Sequence, residues 1–426
     1  MMSEHVISNI NIVIFLFFWI IIFFVYQIRK KKFDAGSVLL FSYLTYAIMS
    51  LFLYNNPYYK FNRIDLLPFI YLFLMLMITF YPILKFDYDR VDNIKKPPTW
   101  QLNLVNLVFI ISSLMQIPDI VSNFAVSIVR LFLDSAGGQD LYNEAMAESI
   151  SLGDGNISNF FSIISNAYGN FGILLFFYHL TLRNFNRIIL VGLFVSCIIS
   201  IFSNISLGQR GPILEVILSM IVTYFFLRKF YQTNVKKVIK GVGVFILILA
   251  LVPVAALTIS RFGESEVGSE SSVIYYSGQE NLYFNNHGLD NGGIRYGDRT
   301  FPLFKKMLGF ENVPNNFWER RSKYPNLQIN DEVFIGFVGD FTLDFGPFLP
   351  PFIFIIFSLY VSYKTMIRSR VLLFHQLILI HFVISLCMLG GMKLYPFSDV
   401  GGNLQLIFYF LMYHFFRLTS IYVIRE

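Results

Sequence analysis

Runs of about 20 apolar residues recur along this chain, and each is long enough to cross the roughly 30 Å hydrocarbon layer as a helix. A helix closes its own backbone hydrogen bonds inside the segment, which lipid cannot do for it. Eleven such runs are read, near 8–27, 36–54, 66–84, 102–120, 160–182, 188–206, 212–228, 241–259, 346–364, 371–389 and 404–422. Only 14% of the residues are charged, against the roughly 25% of a soluble chain. The expected fold is an all-α polytopic integral membrane protein of about 11 transmembrane helices. It divides into a bundle of eight spans over 1–259 with an outer loop at 121–159, a large extracytoplasmic loop at 260–345, and three C-terminal spans over 346–426.

Sidedness follows from lysine and arginine in the short connections. The segments 29–32, 85–96, 183–187, 228–240, 364–370 and the C-terminal end carry 20 of the 33 basic residues. The alternate short connections, 55–65, 121–159, 207–211 and 390–403, carry five. The alternation puts the N-terminus outside and the C-terminus in the cytoplasm, with both outer loops and "GQRGP" (208–212) on the outer side. The net charge of +6 is therefore a topology signal and gives no reason to expect nucleic acid as a partner. Cys197 and Cys387 both fall in apolar runs, so no disulfide framework is implied. The first apolar run is too long for a signal peptide and is read as a retained span.

Segment 121–159 has helical apolar spacing at Ile120, Phe124, Ile128, Val129 and Leu131. It fits an amphipathic helix in the membrane interface, or a connecting helix with its apolar side on the bundle. Segment 260–345 carries eight basic and twelve acidic residues and is rich in Gly, Asn and Tyr. Its aromatics, Tyr275, Tyr276, Tyr283, Phe284, Tyr296, Phe301, Phe304, Phe310 and Trp318, suffice for a small core. Aromatic faces, amides and carboxylates also suit carbohydrate, by stacking and by hydrogen bonds to hydroxyls.

Arg210 opens a span, where free backbone N–H groups and the helix dipole favour an anion, and a guanidinium grips phosphate with two parallel bonds. Glu215 lies about one turn deeper in the apolar run, where an ionisable group needs a partner or a task. The pair either serves a ligand, neutralises itself or reaches to water. Arg261 follows the eighth span, as an anion ligand or an interfacial anchor. Arg295 and Arg299 share a Gly-rich loop with Asp298, where a diphosphate clamp and a surface salt bridge explain them equally well. His287 is a candidate general base or a solvated loop histidine. Asp340 and Asp344 stand four apart and share a face if that segment is helical. The acids of "DYD" (87–89) look like a metal-holding pair but fall among cytoplasmic lysines, and no metal site is expected.

An outer "GQRG" opening a span, a long aromatic outer loop containing "YGDRTF", and "FTLDFG" leading into the next span together resemble the bacterial oligosaccharide repeat-unit polymerases, the O-antigen and capsular polysaccharide polymerases of the Wzy type. The resemblance covers topology over most of the chain through short motifs. It implies the architecture shared by O-antigen ligases and polymerases, which is GT-C-like, in the bacterial inner (plasma) membrane. It also implies a cofactor-free, metal-independent glycosyltransferase that joins polyprenyl-diphosphate-linked oligosaccharides on the outer face. An O-antigen ligase and a flippase or other transporter of lipid-linked oligosaccharide are the alternatives. The bilayer, a chain-length regulator and a flippase are the implied partners. By the same resemblance Arg210, Arg261 and Arg299 would bind diphosphate, with Arg295 a further candidate from its place in the same loop, His287 would act as base, and Asp344 belongs to the shared pattern.

Overall fold

The first apolar run forms α1 (Glu4–Lys30), started by the Ser3 side chain and stopped at Lys31, whose φ of 54° is left-handed. Asp34 then opens α2 (Ala35–Tyr54) with a capping box, its Oδ1 accepting from Ser37 N at 2.9 Å. Tyr26 donates to the same carboxylate at 2.9 Å, so the hairpin turn is tied to the end of α1. The computed structural model describes residues 3–133, 140–141, 157–207, 209–262, 268–329, 333–367 and 369–422.

The chain continues through α3 (Leu66–Lys85), α4 (Thr99–Leu114), α5 (Ile117–Leu133), α6 (Ile157–His179), α7 (Arg187–Ser206), α8 (Arg210–Leu227) and α9 (Thr233–Phe262). Then come α10 (Gly268–His287), three short helices, α11 (Pro302–Met307), α12 (Phe317–Lys323) and α13 (Gly336–Phe345), and the apolar α14 (Leu349–Lys364), α15 (Phe374–Leu389) and α16 (Asp399–Tyr422). Two three-residue strands, β1 (Asn93–Lys95) and β2 (Val371–Leu373), pair with each other. The protein is all-α in class, and among the described residues six helical stretches are long and apolar enough to cross a membrane.

Space and chain order part ways, because the contacts divide the molecule into two units. The first comprises Met1–Ile94 and Val273–His414, so α1–α3 pack with most of the 260–345 segment and the C-terminal helices. Its centre is aromatic: Phe15 stacks on Phe69 at 4.3 Å, and Trp19 lies 5.1 Å from Tyr43. Tyr43 donates to Cys387 O at 2.8 Å, joining α2 to α15. Lipid tails are as apolar as these side chains, so association rests on close packing and on such hydrogen bonds. Gly391 lets α2 approach closely, since a Cβ there would stand 2.5 Å from Tyr43 Cζ.

The second unit comprises Lys95–Ser272 and Phe415–Glu426. Here α6 bends at Gly169, whose φ of 42° and ψ of −124° lie outside the helical region. Below the bend, buried Asn106 of α4 and His179 share a hydrogen bond of 2.7 Å. The apolar side of α5 rests on its neighbours, with Phe124 edge-on to Phe202 at 5.0 Å and Ser127 Oγ donating to Ser206 O at 2.8 Å. In the described part of 121–159, α5 packs through Phe124 and Ser127 while Val121 and Val129 stay exposed; 134–139 and 142–156 lie outside the described residues.

Candidate functional site

Helix α10 is polar in sequence yet buries Gln279, Glu280, Asn281 and Asn285. It does so because its amides replace water with backbone partners. Asn285 takes Asp65 N at 2.9 Å and gives to Asp65 O at 2.7 Å. Asn286 takes Asn62 N at 3.1 Å and gives to Arg63 O at 3.2 Å. Ser50 Oγ donates to Gly278 O at 2.8 Å and Asn281 Nδ2 to Ser50 Oγ at 2.9 Å, which fixes α10 on the end of α2.

Among the described side chains of this helix, two titratable atoms are left over. Glu280 is 2% exposed, and its Oε1 has no hydrogen-bond partner. His287 is half-buried, and its Nδ1 is buried without a partner. They are seven residues apart, two turns of helix, and so share a face. Burial, then the nearby Asp340, push the Glu280 carboxyl well above the usual carboxylate range. Burial also lowers His287, against a hydrogen bond with Gln328 that raises it. The Glu280 carboxyl abuts Gly336, the first residue of α13, where φ is +74° and any Cβ would collide with Oε1.

Helix α13 carries the paired acids. Asp340 and Asp344 are both fully buried and point to one side, where Arg295 donates to Asp344 Oδ1 at 2.7 Å and to Asp340 Oδ1 at 3.0 Å. Arg299 Nε lies 3.0 Å from Asp340 Oδ1. Asp344 Oδ2 also accepts from Thr300 N at 2.7 Å and Thr300 Oγ1 at 2.8 Å, and Asp340 Oδ2 from Tyr395 N at 2.7 Å. Burial raises the Asp344 carboxyl, opposed by Arg295 and by the Thr300 donors. Beside this knot Arg320 donates to Asp399 at 2.8 Å, and Asp298 takes Lys305, Lys323 at 2.6 Å and the Tyr324 hydroxyl at 2.7 Å. Burial alone would raise Asp298, but those three hydrogen bonds hold it below the usual range. Five cations thus face four carboxylates.

The sequence candidates sort accordingly. Arg295, Arg299 and Asp344 meet in one cluster, but with carboxylates on the guanidinium of Arg295 instead of an open face toward a diphosphate. Their function in the fold is to sew the 295–305 loop onto α13. His287 sits in the same unit on α10. Arg210 heads α8 and Arg261 lies in the last turn of α9, both in the second unit, and their side chains fall outside the described residues. Glu215 is half-buried in α8 and engaged. Asp87, half-buried, and Asp89, exposed, of "DYD" pair with Arg90 at 2.7 Å and Lys32 at 2.9 Å. Among the described residues no three His, Cys, Asp or Glu side chains gather as a metal site. Of the loop aromatics, Phe284 is fully buried while Tyr296, Phe310 and Trp318 are 65%, 58% and 50% exposed. Sequence reasoning missed Glu280, because a polar helix docked by its amides carries no apolar periodicity to mark its inner face.

Compared with protein families, curated proteins and solved structures, the chain matches none.

Proposed function

We propose that this chain is a membrane-embedded glycosyltransferase that polymerises polyprenyl-diphosphate-linked oligosaccharide repeat units into O-antigen or capsular polysaccharide, on the outer face of the bacterial inner membrane. The observation that carries the reading is the pair of unpartnered acid–base atoms, Glu280 Oε1 and His287 Nδ1, on one face of α10. The neighbouring acids Asp298, Asp340 and Asp344 are all multiply bonded, so spare proton capacity in this region is concentrated on α10. Perturbed titratable groups of this kind gather at functional sites. The bundle supplies lipid contact, and the exposed Tyr296, Phe310 and Trp318 offer faces for sugar stacking.

In this reading an acceptor hydroxyl oxygen bonds to the anomeric carbon of the donor. The bond from that carbon to the lipid diphosphate breaks, and its electron pair leaves with the diphosphate. The hydroxyl proton passes to His287, whose neutral form burial favours, and Glu280, whose protonated form burial favours, serves as the acid of the pair. Charge grows on the leaving group, so fixed cations favour the transition state over the ground state. Arg295 and Arg299 are held by Asp340 and Asp344, which leaves Arg210 and Arg261 as the candidates the sequence offers for that role. The GT-C-like architecture, the eleven spans and an outside N-terminus belong to the same proposal.

The test supplies purified chain with lipid-linked repeat units and resolves the products on a gel. A ladder is expected; a single shift with lipid A core as acceptor would make the protein a ligase. A buried acid also suits proton-coupled export of the same lipid-linked oligosaccharide, and absence of any product would favour that reading. Glu280→Gln is expected to lower ladder formation at least ~100-fold at unchanged protein level. Arg210→Ala should remove long polymer likewise, and normal polymer length in that variant would exclude Arg210 as a diphosphate ligand.

A further inference from the structure

Within the second unit, α6, α7, α8 and α9 leave an apolar cavity of about 570 Å³. That volume is in the range of sites for drug-sized ligands. Its walls include Phe177, Phe194, Met220, Tyr224 and Val244, and among the described residues its one charged lining residue is Lys240. The position of the cavity along the bundle is fixed by what lines it: the end of α6, the start of α7, the end of α8 and the start of α9. Those four ends are joined by two short connections, 180–186 and 228–232, which lie on the basic side of the chain.

The charge at that end has one sign. Arg183, Arg187, Arg228, Lys229, Lys237 and Lys240 are all exposed there, and Lys236 is half-buried. No acidic residue occurs between Glu215 and Glu264, nor between 157 and 214. Arg228 leans over Phe225, a wall of the cavity, at 5.9 Å from the ring centre. An apolar slot with an all-cationic mouth complements one kind of molecule, an acyl chain ending in a phosphate. A zwitterionic headgroup would bring its own cation to this mouth and gain less.

We propose that this cavity is a binding site for an anionic membrane phospholipid, its acyl chain between α7, α8 and α9 and its phosphate at Lys240 with Lys236 and Lys237. The site is separate from α10 and its acids, and it does not depend on the glycosyltransferase reading.

A phosphatidylglycerol with a photoreactive acyl chain, added to the full chain in phosphatidylcholine nanodiscs, tests this by mass mapping of the adducts. Adducts are expected on peptides covering Phe194, Tyr224 and Val244. Unlabelled phosphatidylglycerol should displace them and extra phosphatidylcholine should not. Lys236→Gln with Lys237→Gln and Lys240→Gln should reduce labelling of these peptides at least tenfold, while labelling of α1 stays constant. Gly243→Trp should do the same without touching charge, because Gly243 lines the cavity and a Cβ there meets nothing within 4 Å. Labelling spread evenly over the membrane-facing helices, equal competition by both lipids, or full labelling in either variant overturns the proposal. Displacement by polyprenyl phosphate alone overturns it too, and assigns the slot to substrate.

Discussion

Glu280 is held neutral by the fold, and this gives it a definite pH signature. Its folded pKa is raised, so both states are protonated below about 4.3 and its ionisation has no effect on stability there. Above that value the unfolded chain ionises while the folded one does not, and stability falls as pH rises until the folded pKa is reached. Glu280→Gln lacks this loss. Its melting temperature should match that of the parent near pH 4 and exceed it by about 2 °C or more at pH 8. A gap that is the same at both pH values would mean the folded carboxyl titrates as it does in the unfolded chain, and a variant less stable than the parent at pH 8 would mean the carboxyl is charged and paired in the fold. Together with loss of polymer, a more stable but inactive protein is the combination that separates a working acid from a structural one. Arg295 is the opposite case. Arg295→Ala leaves Asp340 and Asp344 buried, with the Thr300, Tyr395 and Arg299 donors as their remaining partners, and should destabilise by about 3–5 kcal/mol in a denaturation measured in detergent. Of these residues the acids were legible, since four-residue spacing places Asp340 and Asp344 on one helix face. Their partners were not, because 45 and 49 residues separate them from Arg295 and nothing local marks such a pairing.

At the scale of elements, α10 and α13 meet where Glu280 presses on Gly336. A side chain at 336 is opposed twice, by a φ of +74° and by the carboxyl itself. Gly336→Ala should therefore cost about 1–3 kcal/mol. Glu280→Ala should recover the steric share and leave the backbone share, so the two changes combine to less than their sum. Strict additivity in a double-mutant cycle would show that the two helices are not in register there. The apolar helices were readable because burial in lipid imposes long runs: six of the described helical stretches are long and apolar enough to cross a membrane, while the expected 102–120 run falls across the break between α4 and α5 and the helix over the expected 241–259 run begins at Thr233. The loop was less readable. Residues 260–345 look like a polar connection, yet α10 buries its amides against backbone at 62–65 and α13 buries nine consecutive residues, 336–344. Neither pattern follows from hydropathy, since the inner face of α10 is chosen by hydrogen-bond partners supplied by another part of the chain.

For the whole molecule, the basic connections make one testable statement about sidedness, which the helices by themselves do not settle. A span has no preferred direction in its own hydrogen bonding, so orientation rests on which ends carry lysine and arginine. Cys197 and Cys387 are buried and free, 3% and 0% exposed, so engineered cysteines can be read against a quiet background in intact cells. Cysteines placed at Lys32, Asn186, Lys237 and Met366, all in basic connections, should react with a membrane-impermeant maleimide only after the cells are opened. Tyr58, Tyr296 and Trp318 are exposed, so cysteines there should react from outside. Reaction of Lys237→Cys from outside would place the cationic mouth of the lipid slot on the outer leaflet. Reaction of Tyr296→Cys only from inside would remove the 260–345 segment from the compartment where lipid-linked glycans are joined, and with it the proposed glycosyl transfer. The expected pattern, basic connections inside and the aromatic segment outside, leaves acid–base chemistry on α10 facing outward, as polymerisation at the outer face requires.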